Sequence, residues 1–166
     1  MTLERLWAPW RATYVAGVGD GPTGAHDCLF CELAAAPSED SLVVAGDDLV
    51  FVVMNAFPYT SGHVLVAPRR HEADLEGLNG DESAAFMAMT QRAIVALKAA
   101  YLPDGLNVGV NLGRSAGAGI PGHVHLHVLP RWGGDTNFMT SIAEARVLSE
   151  DLHTTWQKLR DAWPPS

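Results

Sequence analysis

Positive charge is scarce in this chain. It carries 11 Lys and Arg against 19 Asp and Glu, a formal net charge of −8. That balance argues against non-specific binding to nucleic acid or to an anionic membrane surface. It leaves room for a phosphate ligand, which histidines, Arg131 and backbone N–H groups can hold locally. Long hydrophobic runs are missing as well. No apolar stretch is long enough to cross a bilayer, and residues 1–11 hold no apolar run followed by a small-residue cleavage site. A cytoplasmic protein is the expectation. Cysteine is limited to Cys28 and Cys31, which form a C-x-x-C. Metal sites, redox pairs and chance all produce that spacing, and a stable disulfide is disfavoured in the cytosol. Internal repeats and domain linkers are absent.

What is present is an ordinary globular composition, with 48% hydrophobic and 18% charged residues over 166 positions. That length suits one domain with a sizeable core. Residues 1–27 read as an irregular N-terminal arm. Trp7 and Trp10 flank Pro9, and residues 17–24 hold four glycines and a proline. The tryptophans fit either an interface or a cover for the chain's own core. A single domain is expected over residues 28–166.

Within it the patterns predict a short helix from Cys28 to Ala36, ended by Pro37. Strands follow at Leu42–Ala45 and Leu49–Met54, around Gly46-Asp47-Asp48, and at His63–Ala67. The longest helix is expected at Asp81–Tyr101, capped by Asp81, with Ala85, Phe86, Met89, Ile94 and Leu97 on its apolar stripe. A fourth strand spans Leu106–Leu112, and residues 113–122 form a loop with four glycines. A C-terminal helix is expected from Ala143 to Trp163, with a break near Ser149. Short connections between strands favour antiparallel pairing. The fold class is therefore α+β, a largely antiparallel sheet with one long helix and a C-terminal helix.

The densest chemistry lies in Gly122-His123-Val124-His125-Leu126-His127-Val128-Leu129-Pro130-Arg131-Trp132. Three of the seven histidines alternate here with apolar residues. Strand geometry puts the three imidazoles on one face and Val124, Leu126 and Val128 on the other. At about 3.3 Å per residue the histidines spread over roughly 13 Å. One ion can reach two of them but hardly all three, so the row implies different roles. A neutral imidazole can attack an electrophile, move a proton or bind a metal. A structural metal site remains the plainer alternative.

This stretch closely resembles the signature of the histidine triad family. The resemblance runs from about Cys28 to Trp132. It takes in Phe51-Val52-Val53-Met54-Asn55, then Gly62-His63-Val64-Leu65-Val66-Ala67-Pro68-Arg69-Arg70-His71, then Asn107 to Asn111. It implies the family's fold, commonly paired as a homodimer, and an enzyme that cleaves or transfers at the α-phosphate of a nucleotide. His125 is the implied nucleophile. His127 and His63 lie at the phosphate and donate to its non-bridging oxygens, and His123 orients His125. Asn55 matches the residue that holds the ribose hydroxyls, a role an amide suits because it both donates and accepts. Without the family it reads equally as a turn former. Asn111 matches an amide near the scissile phosphate.

The loop before the triad departs from the commonest family pattern, Gly-Gln followed by Ser or Thr. It has no Gln, and is one residue longer. Backbone N–H groups of Ala118, Gly119 and Ile120 are expected to take over the phosphate contacts. This loop, with residues 130–139, resembles the bacterial branch that includes diadenosine tetraphosphate phosphorylases. The implied reaction passes an adenylyl group from His125 to inorganic phosphate, giving ADP and ATP. Water as the acceptor, phosphoramidate substrates and a binding module without turnover are the alternatives. Some bacterial relatives hold a structural zinc through residues that correspond to Cys28, Cys31, His71 and His123, a closed set of two thiolates and two imidazoles. The competing reading has buried, apolar-like cysteines and a His71 that caps a helix. His26 and His153 match nothing and read as surface residues.

Overall fold

The computed structural model describes residues 28–35, 41–135 and 148–165. The N-terminal arm, with Trp7, Trp10 and His26, lies outside the described residues. So do Ala36 at the end of the first expected helix and the first part of the expected C-terminal helix.

Helix α1 (Leu29–Ala35) leads into strands β1 (Val43–Gly46), β2 (Val50–Met54) and β3 (Val64–Pro68). The long helix α2 (Gly80–Tyr101) follows, then strands β4 (Gly105–Val110) and β5 (Leu126–Arg131), and finally α3 (Leu152–Asp161). The five strands form one sheet in the order β1-β2-β3-β5-β4, and every neighbouring pair is antiparallel. The expected α+β architecture is the one observed.

Every residue of β2 and β3 is buried, because both sheet faces are covered. On one face Val50, Val52, Met54, Val64 and Val66 meet Phe86, Met89, Ala93 and Leu97 of α2 and Trp156 and Leu159 of α3. On the other, Phe51, Val53, Leu65 and Ala67 meet Cys28 and Phe30 at α1. A strand covered on both faces reads as a continuous apolar run, and Val50-Phe51-Val52-Val53-Met54 is one. Indole N–H of Trp156 donates to the Val43 carbonyl at 2.8 Å and ties α3 to the edge strand β1.

Two boundaries depart from expectation for local reasons. Asn79, not Asp81, caps α2. Its side chain accepts the Glu82 N–H while Glu82 accepts the Asn79 N–H, a reciprocal capping box. Asp81 lies within the first turn. At the C-terminus the helix starts at Leu152, because the Asp151 side chain accepts the Thr154 N–H and fixes the first turn there. The expected break near Ser149 matches the non-helical residues 148–151.

Glu82 does more than cap. It is buried, and the Arg70 guanidinium donates to both its oxygens at 2.7 and 2.8 Å. Arg70 also donates to the carbonyl of Gly77 and to Glu72. The start of α2 thus fixes the chain over residues 70–77, which carries His71. Arg70 first, then the Asn79 N–H, hold the Glu82 carboxyl down to about 2, from 4.5. A carboxyl whose folded pKa is lowered stabilises the fold fully above its unfolded value, and loses that contribution as pH falls toward the folded one. The window here runs from about 4.5 down to about 2. Glu82→Gln should cost about 1–3 kcal/mol at pH 7, with the gap to the unmodified protein closing in acid as Glu82 itself protonates. Urea unfolding of both proteins across that window checks this; an equal gap at every pH would remove the linkage.

Candidate functional site

The triad straddles the start of β5. Ladder pairing begins at Leu126, opposite Val66, so of the three histidines only His127 sits in the sheet, across from Leu65 and Gly109. His123 and His125 precede it, where the Val124 N–H donates to the Glu72 carbonyl at 2.6 Å. The alternation survives this early exit from the sheet. Val124, Leu126 and Val128 enter the core under α2, and the histidines face α1. Phe30, only 1% exposed, packs beneath them, its ring centroid 5.1 Å from His123 and 4.9 Å from His125. Phe30 stands between the two cysteines in sequence and was not singled out there; an apolar residue inside a C-x-x-C gives no signal of what it will touch.

Hydrogen bonds fix the proton on each ring. A carbonyl can only accept, so His125 Nδ1–H donates to the His123 carbonyl at 2.8 Å. The Nε2 of a neutral His125 is left with its lone pair. His123 Nε2–H donates to the Pro68 carbonyl at 2.9 Å, which leaves Nδ1 as its acceptor. His63 Nδ1 faces two donors, the Tyr59 backbone N–H at 3.1 Å and the Asn55 side-chain amide at 3.3 Å. Its proton therefore lies on Nε2 and is donated to His127 Nδ1 at 2.9 Å. His127 then carries its own proton on Nε2. That nitrogen is buried and, among the described residues, has no hydrogen-bond partner. Burial disfavours the charged form of the three triad rings. It pushes His123 and His127 each down to about 4, with His125 a second influence on His127. His125 is likewise lowered, by burial.

His125 and His127 line a cavity of about 560 Å³. Its apolar part includes Leu29, Phe30, Leu33, Leu42 and Val53, and its polar part includes Asn55, Gly117, Gly119 and the two histidines. An apolar hollow with a few convergent polar groups is the usual form of a small-molecule site. Leu42 holds a left-handed φ of 55°, a conformation rare for a branched side chain, at its wall.

Not every expected contact is brought to that wall. His63 is fully buried behind His127, and its Nε2 is committed there, so it acts on a ligand only through His127. The Ala118 N–H donates to the Gly113 carbonyl within the loop's own turn and is not available to a phosphate, whereas Gly119 and Ile120 do line the cavity. Asn111 is half-buried just past the end of β4 and is not part of the lining. Asn55 combines both of its readings: it lines the cavity, and its Oδ1 accepts the Phe57 N–H at 3.0 Å in a turn. The Tyr59 N–H, which holds His63, has no signal in the sequence, since backbone donors leave no trace in residue type. Gly62, with φ of 85°, makes the turn into β3 possible: a Cβ there would lie 3.0 Å from Pro130. His153 is exposed and lies against Trp156 with the two rings tilted by 49°.

Behind the triad, Cys28, Cys31, His71 and His123 bring their ligand atoms within 4.8 Å of one another. The free acceptor of His123, Nδ1, lies 3.3 Å from Cys28 Sγ and 3.7 Å from Cys31 Sγ, and His71 Nδ1 lies 3.3 Å from Cys31 Sγ. A tetrahedral ion with bonds of about 2.0–2.3 Å requires ligand atoms at such separations. Without a cation, burial first and Cys28 second push the Cys31 thiol up to about 11. These four residues can hold a metal ion; His71 does not cap a helix, and the two cysteines are free.

The chain is similar to known proteins in sequence and fold. The HIT domain model matches residues 36–134. AP-4-A phosphorylase of Mycobacterium tuberculosis is 43% identical over 165 residues, covering 97% of this chain and 85% of that protein. A Zn-bound histidine triad family protein from Mycobacterium smegmatis superposes with a TM-score of 0.68 at 31% identity, over 84% of this chain and 94% of its own. A hypothetical histidine triad nucleotide-binding protein from Sulfolobus tokodaii gives a TM-score of 0.68 at 26% identity, over 81% and 91%. Sequence and fold agree, and the chain belongs to the histidine triad family.

Proposed function

We propose that this protein is a diadenosine tetraphosphate phosphorylase that works through an adenylyl-histidine intermediate. The observation that carries the reading is the pair of tautomers at the cavity wall, a lone pair on His125 Nε2 beside a proton on His127 Nε2. Likeness over nearly the whole chain to a mycobacterial AP-4-A phosphorylase supports the substrate.

In the first half-reaction His125 Nε2 attacks the α-phosphorus in line. The Nε2–P bond forms, the bridging P–O bond breaks, and ATP leaves. Attack makes the His125 ring cationic, and the His123 carbonyl, accepting its Nδ1–H, stabilises that charge. His127 Nε2–H donates to an oxygen of the scissile phosphate as charge builds there. His63 and the Tyr59 N–H hold His127 in the donor tautomer. The Gly119 and Ile120 backbone flanks the phosphate, and Asn55 takes the ribose hydroxyls. In the second half an oxygen of inorganic phosphate attacks the same phosphorus and releases ADP, freeing His125. One hard displacement thus becomes two easier ones.

Zinc is the ion that best fits two thiolates and two imidazoles, and a Zn-bound relative supports it. Its contribution would be structural, clamping α1 and residue 71 to the triad strand. A homodimer belongs to the same reading, supported by β4, an edge strand of the sheet among the described residues, with the exposed Val108, and by exposed Met87 and Val95 on α2. Among the described residues no helix is long and apolar enough to cross a membrane, and free thiols suit a cytoplasmic setting.

Incubation with diadenosine tetraphosphate, with and without inorganic phosphate, tests the reaction. ADP plus ATP, formed only with phosphate, is the expected result; AMP plus ATP regardless of phosphate would make the protein a hydrolase, and no products would turn attention to phosphoramidates. His125→Ala should lower turnover more than about a thousandfold while nucleotide binding, followed by calorimetry, persists; substantial residual turnover would exclude His125 as nucleophile. Protein purified without added zinc should contain it stoichiometrically by atomic emission, and Cys31→Ser should lose it. Absence of zinc from the unmodified protein would refute the metal assignment.

A further inference from the structure

Phe57 is 85% exposed, the most exposed large hydrophobic side chain among the described residues. It belongs to neither core cluster. Its backbone is nevertheless fixed from both sides. The Phe57 N–H donates to Asn55 Oδ1, Pro58 follows it, and the Tyr59 N–H donates to His63. Tyr59 is 46% exposed. Its ring lies 4.7 Å from that of His63 and nearly parallel to that of His127, at 8° and 6.2 Å. Both aromatics line the cavity that holds His125 and His127.

We infer that Phe57 and Tyr59 form a stacking subsite for the second nucleobase of the substrate, the one that departs with the triphosphate. The inference rests on the proposed reaction and adds what selects a dinucleotide over a mononucleotide. The buried apolar wall around Phe30, Leu33 and Val53 suits the reacting nucleoside. His127 Nε2–H marks where the phosphate chain passes, and the Tyr59 ring lies nearly parallel to that same ring at 6.2 Å. The departing half therefore leaves past Tyr59 and meets Phe57 at the rim. Among the described residues that line the cavity the side chains beside Phe57 are aromatic or uncharged. The exposed ring of Phe57, beside the half-exposed Tyr59, offers the departing half binding energy, and every nucleobase has a face to stack on an aromatic ring.

The test compares diadenosine tetraphosphate with adenosine 5′-tetraphosphate, which presents the same reacting half but no second adenosine. The quantity read is the ratio of kcat/KM for the two substrates, in the presence of inorganic phosphate. Stacking on one aromatic predicts that Phe57→Ala lowers this ratio ~10-fold, through KM for the dinucleotide, and that Phe57→Trp restores it. Because the side chain is exposed, the fold tolerates its removal, and AMP binding by calorimetry checks that the reacting-half pocket survives. Equal losses on both substrates would place Phe57 against the reacting nucleoside and overturn the subsite, as would an unchanged ratio. If the unmodified protein cleaves neither compound, the proposed reaction itself fails and the subsite falls with it.

Discussion

His123 donates its Nε2 proton to the carbonyl of Pro68, and two chemistries hang on that bond. With Nε2 committed to a carbonyl, Nδ1 is the acceptor, and it faces two thiols. The carbonyl of His123 itself receives the Nδ1 proton of His125. A ring that serves the thiol cluster and a backbone that serves the nucleophile thus belong to the same residue. Pro68 is well placed to be the acceptor. As the last residue of β3 it has no N–H, and its carbonyl lies at a strand end, beyond the β3–β5 pairing that runs only from Val64 to Val66.

Tautomer control on the other side of the cavity works by the same logic in the opposite sense. His125 is held by an acceptor and keeps a lone pair for the ligand. His63 is held by donors and passes its proton to His127, which keeps a proton for the ligand. Burial strengthens both arrangements, since it disfavours the doubly protonated ring that would erase the distinction. Neither effect requires a charged residue at the cavity wall, which accords with a chain so poor in Lys and Arg.

Much of this was legible in the residues. The period of two through His123–Val128 set the facing of every side chain there, even though the ladder begins only at Leu126, because Val124 still had to reach the core under α2. The long helix and the succession of strands along the chain followed from hydrophobic periodicity and turn residues. What was hidden was mostly backbone chemistry. The donors and acceptors that assign each histidine its proton are the Tyr59 N–H and the carbonyls of Pro68 and His123, and any residue type supplies those groups. The capping of α2 by Asn79 in place of the expected Asp81 turns on the reciprocal partner: Glu82 stands three residues after Asn79, whereas Ala84 stands three after Asp81. Ala118 could not be separated from Gly119 and Ile120 in sequence, because a glycine-rich loop does not reveal which of its amides it spends on its own turn.

The position of Phe30 links the two halves of the site. Its ring contacts His123 and His125 together, and the residues on either side of it, Leu29 and Cys31, reach the cavity and the thiol cluster. Helix α1 has seven residues, too few to be stable alone in water. Its order depends on what it packs against: burial of Phe30, about 1.5–3 kcal/mol, and any ion shared by Cys28 and Cys31 with His71 and His123. An ion there would draw α1 onto the same imidazole that orients the nucleophile. The wall of the cavity made by Leu29, Phe30 and Leu33 would then be as firm as the metal site behind it, which gives a structural metal a direct hold on the shape of the nucleotide pocket while it stays outside the chemistry.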